Sequence, residues 1–272
     1  MPARPRPSVA ATLLNTDQIE LWPAALLRAR SNGDARVIAR ASRILRRKSD
    51  GRYLAAVVPE GLVGLLPGWS RSEGLEQALD RLEAVEQTRR APAPDTEGTL
   101  PLYGLRQRLE TLELDADDYA RRTGLALVGE PATLALAGFD RYRRPLWMTA
   151  AAGQAWRALQ AAAATEGVRL EAISGYRSHA YQLGIFERKR ARGQRVAQIL
   201  TVNAAPGYSE HHGGDALDIG TPGQPPAEES FEHTEAFAWL TAHAGRFGFH
   251  MSYPRDNPHG IVYEPWHWRH QR

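Results

Sequence analysis

The stretch SEHHGGDALDIG, residues 209–220, sets two adjacent histidines and two aspartates within a dozen positions of a chain that has only nine histidines. A zinc ion used for catalysis takes three protein ligands and keeps a further position open, and neutral imidazoles with a carboxylate are suitable donors. The chain contains no cysteine, so thiolate sites, disulfides and a cysteine nucleophile are excluded and any metal must rest on His, Asp and Glu. His211 lies on the glycine-rich approach and Asp218 on the apolar run ALDIG, which reads as a short buried strand. Gly213 and Gly214 would ease the turn that brings both side chains to one point. The third donor must come from elsewhere, and YEPWHWRH at 263–270 offers Glu264 and His267. A bound zinc acidifies water and polarises a carbonyl. A carboxylate beside it that is not a ligand can take a proton and pass it to a leaving amine, a role for which Glu264 is the candidate. Arg177, in SGYRS at 174–178, has the planar, bidentate head that recognises a terminal carboxylate.

Ser209, His211, Gly214, Ala216 and Asp218 fit the pattern SxHxxGxAxD, and Glu264 with His267 fits ExxH. Together with SGYRS and with Gln182 on the following helix, these motifs resemble those of the zinc D-Ala-D-Ala carboxypeptidases of VanY type, whose core fold is shared with the Hedgehog signalling domain. The resemblance covers about residues 145–270. It implies that His211, Asp218 and His267 bind one zinc ion per chain. It implies also that Arg177 contacts the substrate carboxylate or the developing oxyanion, with Ser209 and Gln182 adding hydrogen bonds to the substrate. The expected activity is removal of the C-terminal D-alanine from peptidoglycan stem peptides or muropeptides. Alternatives are L,D-carboxypeptidation of tetrapeptides, a phage-lysin-type endopeptidase, and a non-catalytic zinc-binding protein that would have lost the base.

The other candidates have plainer readings. His212 should point away from its neighbour's site, and His179, His243, His250, His259 and His270 read as ordinary polar groups. Trp266 and Trp268 read as packing around the site, Asp215 as surface, and Tyr253 as a residue that either lines the cleft or does not. The run Arg46, Arg47, Lys48 reads as a solvated face.

These residues need a scaffold, and 272 residues with 43% hydrophobic content and seven tryptophans can bury one. Thirty-four basic against 31 acidic residues leave a net charge of only +3, which argues against a nucleic-acid partner. No run of about 18 apolar residues occurs, so no spanning helix is expected. The basic N-terminus is followed by too short an apolar run to read as an export signal; the sequence alone therefore suggests the cytoplasm, with action at the cell envelope open. No obligate protein partner is inferred.

Helical spacing is clear over 74–90, where Leu75, Ala78, Leu79, Leu82 and Val85 recur, and again over about 103–123. The breaker APAPDTEG at 91–98 marks a boundary, and LALVG at 125–129 resembles a strand. From Thr149, a capping residue, follow a helix ending near Gly167, the strand VRLEAIS, a helix from His179 to about Arg192, a helix over 235–243 and a strand over 249–253. The expected fold is α+β, a mostly antiparallel sheet with helices packed on it, plus a smaller, mainly helical N-terminal region. The expected divisions are 1–95, of unknown role; 96–144, a helical connection; and 145–272, the catalytic domain.

Overall fold

In the computed structural model, residues 11–88 and 98–271 are described. Residues 91–97 of the breaker lie outside them. Seven strands form one antiparallel sheet: β1 (Thr12–Asn15), β2 (Ile19–Pro23), β3 (Arg43–Arg47), β4 (Tyr53–Val58), β5 (Gly61–Gly64), β6 (Thr133–Phe139) and β7 (Pro145–Met148), in the order β5-β4-β3-β2-β1-β6-β7. A second antiparallel sheet has the order β10-β11-β9-β8 and is built from β8 (Glu171–Ser174), β9 (Ala216–Gly220), β10 (Phe249–Met251) and β11 (His267–His270).

The N-terminal region is therefore a β-meander and not the mainly helical unit expected. Its strands escape a periodicity reading because both faces of the sheet are covered. Leu45, Leu21 and Leu54 pack on one side beneath α2 (Leu75–Thr88), while Ile44, Ala56 and Val58 pack on the other beside α1 (Asn32–Ile38). Consecutive residues are thus apolar, and the two-residue alternation that announces a strand disappears. One charge pair spans the ladder: Glu20 lies opposite Arg46, whose guanidinium is 2.6 Å from its carboxylate. The sheet takes strands from residues 12–64, 133–139 and 145–148, so it crosses both of the expected divisions.

The long helix expected over 103–123 is two, α3 (Leu105–Glu110) and α4 (Ala116–Thr123). Asp115 caps the second by accepting from the Asp118 amide, and Glu113 takes a left-handed φ of 58° between them, which the apolar spacing did not disclose. LALVG forms no strand; it is an irregular segment in which the Val128 amide donates to the Gly207 carbonyl.

The C-terminal elements follow the expected sequence. Thr149 caps α5 (Ala150–Thr165), and Gly167 past its end has φ 80°. α6 (His179–Arg190), α7 (Val196–Leu200) and α8 (Glu235–His243) complete the set. Trp156 and Leu159 of α5 and Trp239 and Leu240 of α8 bury one face of the small sheet against Leu217, Ile219, Phe249 and Trp268. At about 1.5–3 kcal/mol for each large apolar side chain, this cluster holds the small sheet in place.

Candidate active site

The core of the small sheet decides where its polar residues go. Leu217, Ile219 and Trp268 face the helices, so Asp218 and His267, one position away on their strands, must face the other side. The register sets His267 directly opposite Asp218. His211 reaches the same point from a one-turn 3-10 helix, Glu210–Gly213, that stops at Gly214 in the left-handed conformation with φ 73°. A Cβ at Gly214 would lie 2.6 Å from the Leu134 side chain, so this turn accepts only glycine.

The donor atoms of His211, Asp218 and His267 all lie within 4.8 Å of one another, and all three residues are buried. Asp218 Oδ1 is 3.3 Å from His211 Nε2 and 3.2 Å from His267 Nδ1. Each imidazole has its outer nitrogen engaged: His211 Nδ1 lies 2.8 Å from the Gly175 carbonyl, and His267 Nε2 lies 2.9 Å from a Glu210 oxygen. With a proton on each outer nitrogen, the inner lone pairs point at Asp218. Two imidazoles held in this way and one carboxylate form a donor set that fits zinc, including the hydrogen-bond partners that fix ring orientation.

The electrostatics show how much charge is concentrated there without a cation. Burial favours a neutral Asp218, yet the two imidazoles override it and keep the carboxyl well below its ordinary range. Burial lowers His211. It would lower His267 too, but the bonds to Asp218 and Glu210 prevail and raise that imidazole to about 10. Burial also raises Glu210, and its bond to His267 outweighs this, bringing it to about 2.

A cleft of about 290 Å³ opens onto the cluster, lined also by Arg177, Ser209, Tyr253, Glu264 and Trp266. Glu264 is held by its backbone amide, which donates to the Tyr253 carbonyl, and its carboxylate stands 3.9 Å from His267 Nδ1. Burial is the main reason its pKa rises to about 7. Arg177 projects from the loop ahead of α6, with Nη2 3.9 Å from Asp218 and Nη1 donating to the Gln182 amide oxygen at 2.9 Å. Gln182 spends its other end on the Ala204 carbonyl at 2.7 Å and is fully buried, so both its polar atoms are engaged by protein.

The structure thus brings together all seven residues singled out in the sequence. Tyr253 and Trp266 line the cleft, whereas Trp268 is core. His212 is buried behind the site: its Nδ1 donates to the Arg177 carbonyl, and its Nε2 accepts from the Gly207 amide. Asp215 is half-buried and accepts the Thr149 hydroxyl, rather than lying free on the surface. Lys48 departs furthest from expectation: it is fully buried against Glu130, not solvated. Glu210 was not anticipated. It carries both His267 and, at 3.1 Å, Arg269. Nothing in one sequence pairs it with a residue so far along the chain, and its only signal was its place beside His211.

The family described as VanY, D-alanyl-D-alanine carboxypeptidase, matches residues 145–272. The bifunctional D-Ala-D-Ala dipeptidase and D-Ala-D-Ala carboxypeptidase VanXYC of Enterococcus gallinarum is 30% identical over 146 residues, covering 52% of this chain and 74% of that protein. The chain belongs to the VanY family. A D-alanyl-D-alanine carboxypeptidase of Enterococcus faecalis is 36% identical over 118 residues, 40% of this chain and 42% of its own. Among solved structures, a vancomycin-resistance D,D-pentapeptidase VanY variant in complex with Zn(II) is 31% identical, covering 46% of this chain and 74% of its own, with a TM-score of 0.40. The match spans about half the length, or less, of the first curated relatives: 54%, 42% and 20%.

Proposed function

We propose that this VanY-family chain is a zinc-dependent D,D-carboxypeptidase acting on the C-terminal D-alanine of peptidoglycan stem peptides or muropeptides. The observation that carries the reading is the position of Glu264, a carboxylate outside the donor set, beside a cluster of two imidazoles and a carboxylate. His211, Asp218 and His267 would hold one zinc ion, which supplies Lewis acidity to the scissile carbonyl and to water.

The rest of the chemistry belongs to the chain. Glu264 takes the proton of the attacking water and returns it to the amine of the departing D-alanine. Arg177 receives the terminal carboxylate in the cleft, and the Gln182 amide holds the guanidinium in place for it. Gln182 therefore acts by orienting Arg177, since its own polar atoms are engaged. Ser209 offers a hydroxyl at the cleft wall, and Tyr253 and Trp266 supply its apolar sides. Among the described residues no helix is long and apolar enough to cross a membrane.

The test is mass spectrometry of the products formed by the zinc-loaded protein from tetrapeptide and pentapeptide muropeptides. Loss of one D-alanine from the pentapeptide alone is the expected result. Loss from the tetrapeptide would assign L,D-carboxypeptidation, cleavage within a cross-link an endopeptidase, and no product from either would leave a zinc-binding protein without this activity.

A further inference from the structure

The loop that carries Arg177 is held from two sides. On one side it meets the site: the Gly175 carbonyl faces His211 Nδ1, the Arg177 amide donates to the His211 carbonyl at 3.1 Å, and the Arg177 carbonyl accepts from His212. On the other side it meets Glu130, a buried carboxylate outside the segment that matches the family. Glu130 Oε1 accepts the His179 amide at 2.8 Å, and Oε2 accepts the Tyr176 hydroxyl and the Lys48 ammonium, each at 2.5 Å. Asn15 completes the cluster, with Nδ2 donating to the Tyr176 hydroxyl at 2.8 Å and to Glu130 at 3.3 Å. Tyr176 and His179 flank Arg177 and Ser178, while Asn15 and Lys48 belong to the N-terminal meander.

A buried ion pair is a poor device for stability alone, because an apolar pair of similar volume often serves as well or better. A buried hydrogen-bonded network does something else: it fixes one geometry. Here the geometry it fixes is that of the loop between Glu130 and the site.

We propose that Lys48 and Glu130 are positioning residues for the active site. Through Tyr176 they fix the Gly175–Ser178 loop, and with it the Arg177 guanidinium and the carbonyl that orients His211. The N-terminal sheet is then a working part of the enzyme. The inference rests on Arg177 receiving the substrate carboxylate.

Two full-length variants test it. Tyr176→Phe keeps the ring packed beside Trp147 and removes only the hydroxyl. Lys48→Met with Glu130→Gln removes both charges together, so neither is left alone in the interior. Each is measured for melting temperature, for zinc affinity by chelator competition, and for kcat and KM on an acyl-D-Ala-D-Ala and on its terminal amide. The expected outcome is a folded protein whose preference for the free acid over the amide falls about tenfold or more, mainly through KM, with zinc bound several-fold more weakly. An unchanged preference in Tyr176→Phe overturns the proposal whatever happens to the melting temperature, and Tyr176→Phe decides alone should the double variant not fold. If the wild-type protein shows no preference for the acid, the clamp reading has failed, and the zinc affinities then decide whether the loop positions His211.

Discussion

Two buried polar clusters face each other across the loop 175–178, and they are built from similar parts. Around Glu130, the ammonium, hydroxyl and amide donors all converge on one carboxylate, so both of its oxygens are partnered. Around Asp218, two imidazoles crowd a carboxylate that has no proton to offer, and their outer nitrogens are held by the Gly175 carbonyl and Glu210. The first carboxylate is served by protein donors alone, whereas the second belongs to an unmatched donor set of the kind a cation fits. Buried polar groups cost stability unless partnered, so the unmatched cluster is where function is to be sought.

The sharpest way to separate the clusters is Glu264→Gln, which keeps size and hydrogen bonding but cannot accept a proton. Turnover should fall about a hundredfold or more, while zinc affinity measured by chelator competition survives. Wild-type turnover would remove Glu264 from the chemistry, and lost zinc would make it a support. On the other side, Lys48→Met alone strands Glu130 as an unpaired interior charge. Urea unfolding should show about 3–5 kcal/mol of lost stability, and a loss under about 1 kcal/mol would mean that the pair is open to water.

Glu210→Gln tests how far the unmatched cluster depends on its surroundings. It should weaken zinc about 10- to 100-fold, the usual cost of disturbing a residue that orients a metal ligand, without removing the site. The smallest effect is in pH. For Glu130, burial is outweighed by Lys48 and the carboxyl sits at about 2, so its stabilising contribution is present above the unfolded value of 4.5 and is lost as pH falls through 2. For His267 the sign is opposite: its pKa is raised from 6.5 to about 10, so its contribution in the metal-free protein is full below 6.5 and is lost as pH rises through 10. Metal-free protein should therefore lose stability from pH 7 to 10, and zinc should suppress that loss by taking the proton's place. A flat urea midpoint over that range would contradict the environment assigned to His267.

The comparison also explains what the amino-acid order disclosed. His211, Asp218, Glu264 and His267, which stand on short motifs around ALDIG and EPWH, were readable as a group because metal binding asks for particular residue types, and the structure brings the four into one cleft. Helices α5, α6 and α8 were readable from capping and spacing. The strands Arg43–Arg47 and Tyr53–Val58 were not, because a sheet covered on both faces writes no alternation. Lys48 was misread because a cation among arginines reads as solvated, and the carboxylate that buries it lies 82 residues away. Glu210 was missed for the same reason: its partner is distant in the chain, and its own type is common on surfaces.

The pairing of His267 with Asp218 across two neighbouring strands has a consequence for how the protein comes to be folded. A slip of one residue between β9 and β11 would no longer set these two side chains opposite each other on the outer face. With His267 and Asp218 as the proposed zinc ligands, only one of the alternative pairings of this sheet would grip the ion. Held as proposed, the ion would work as a proofreader of assembly, adding its binding energy to correctly paired molecules and withholding it from the rest.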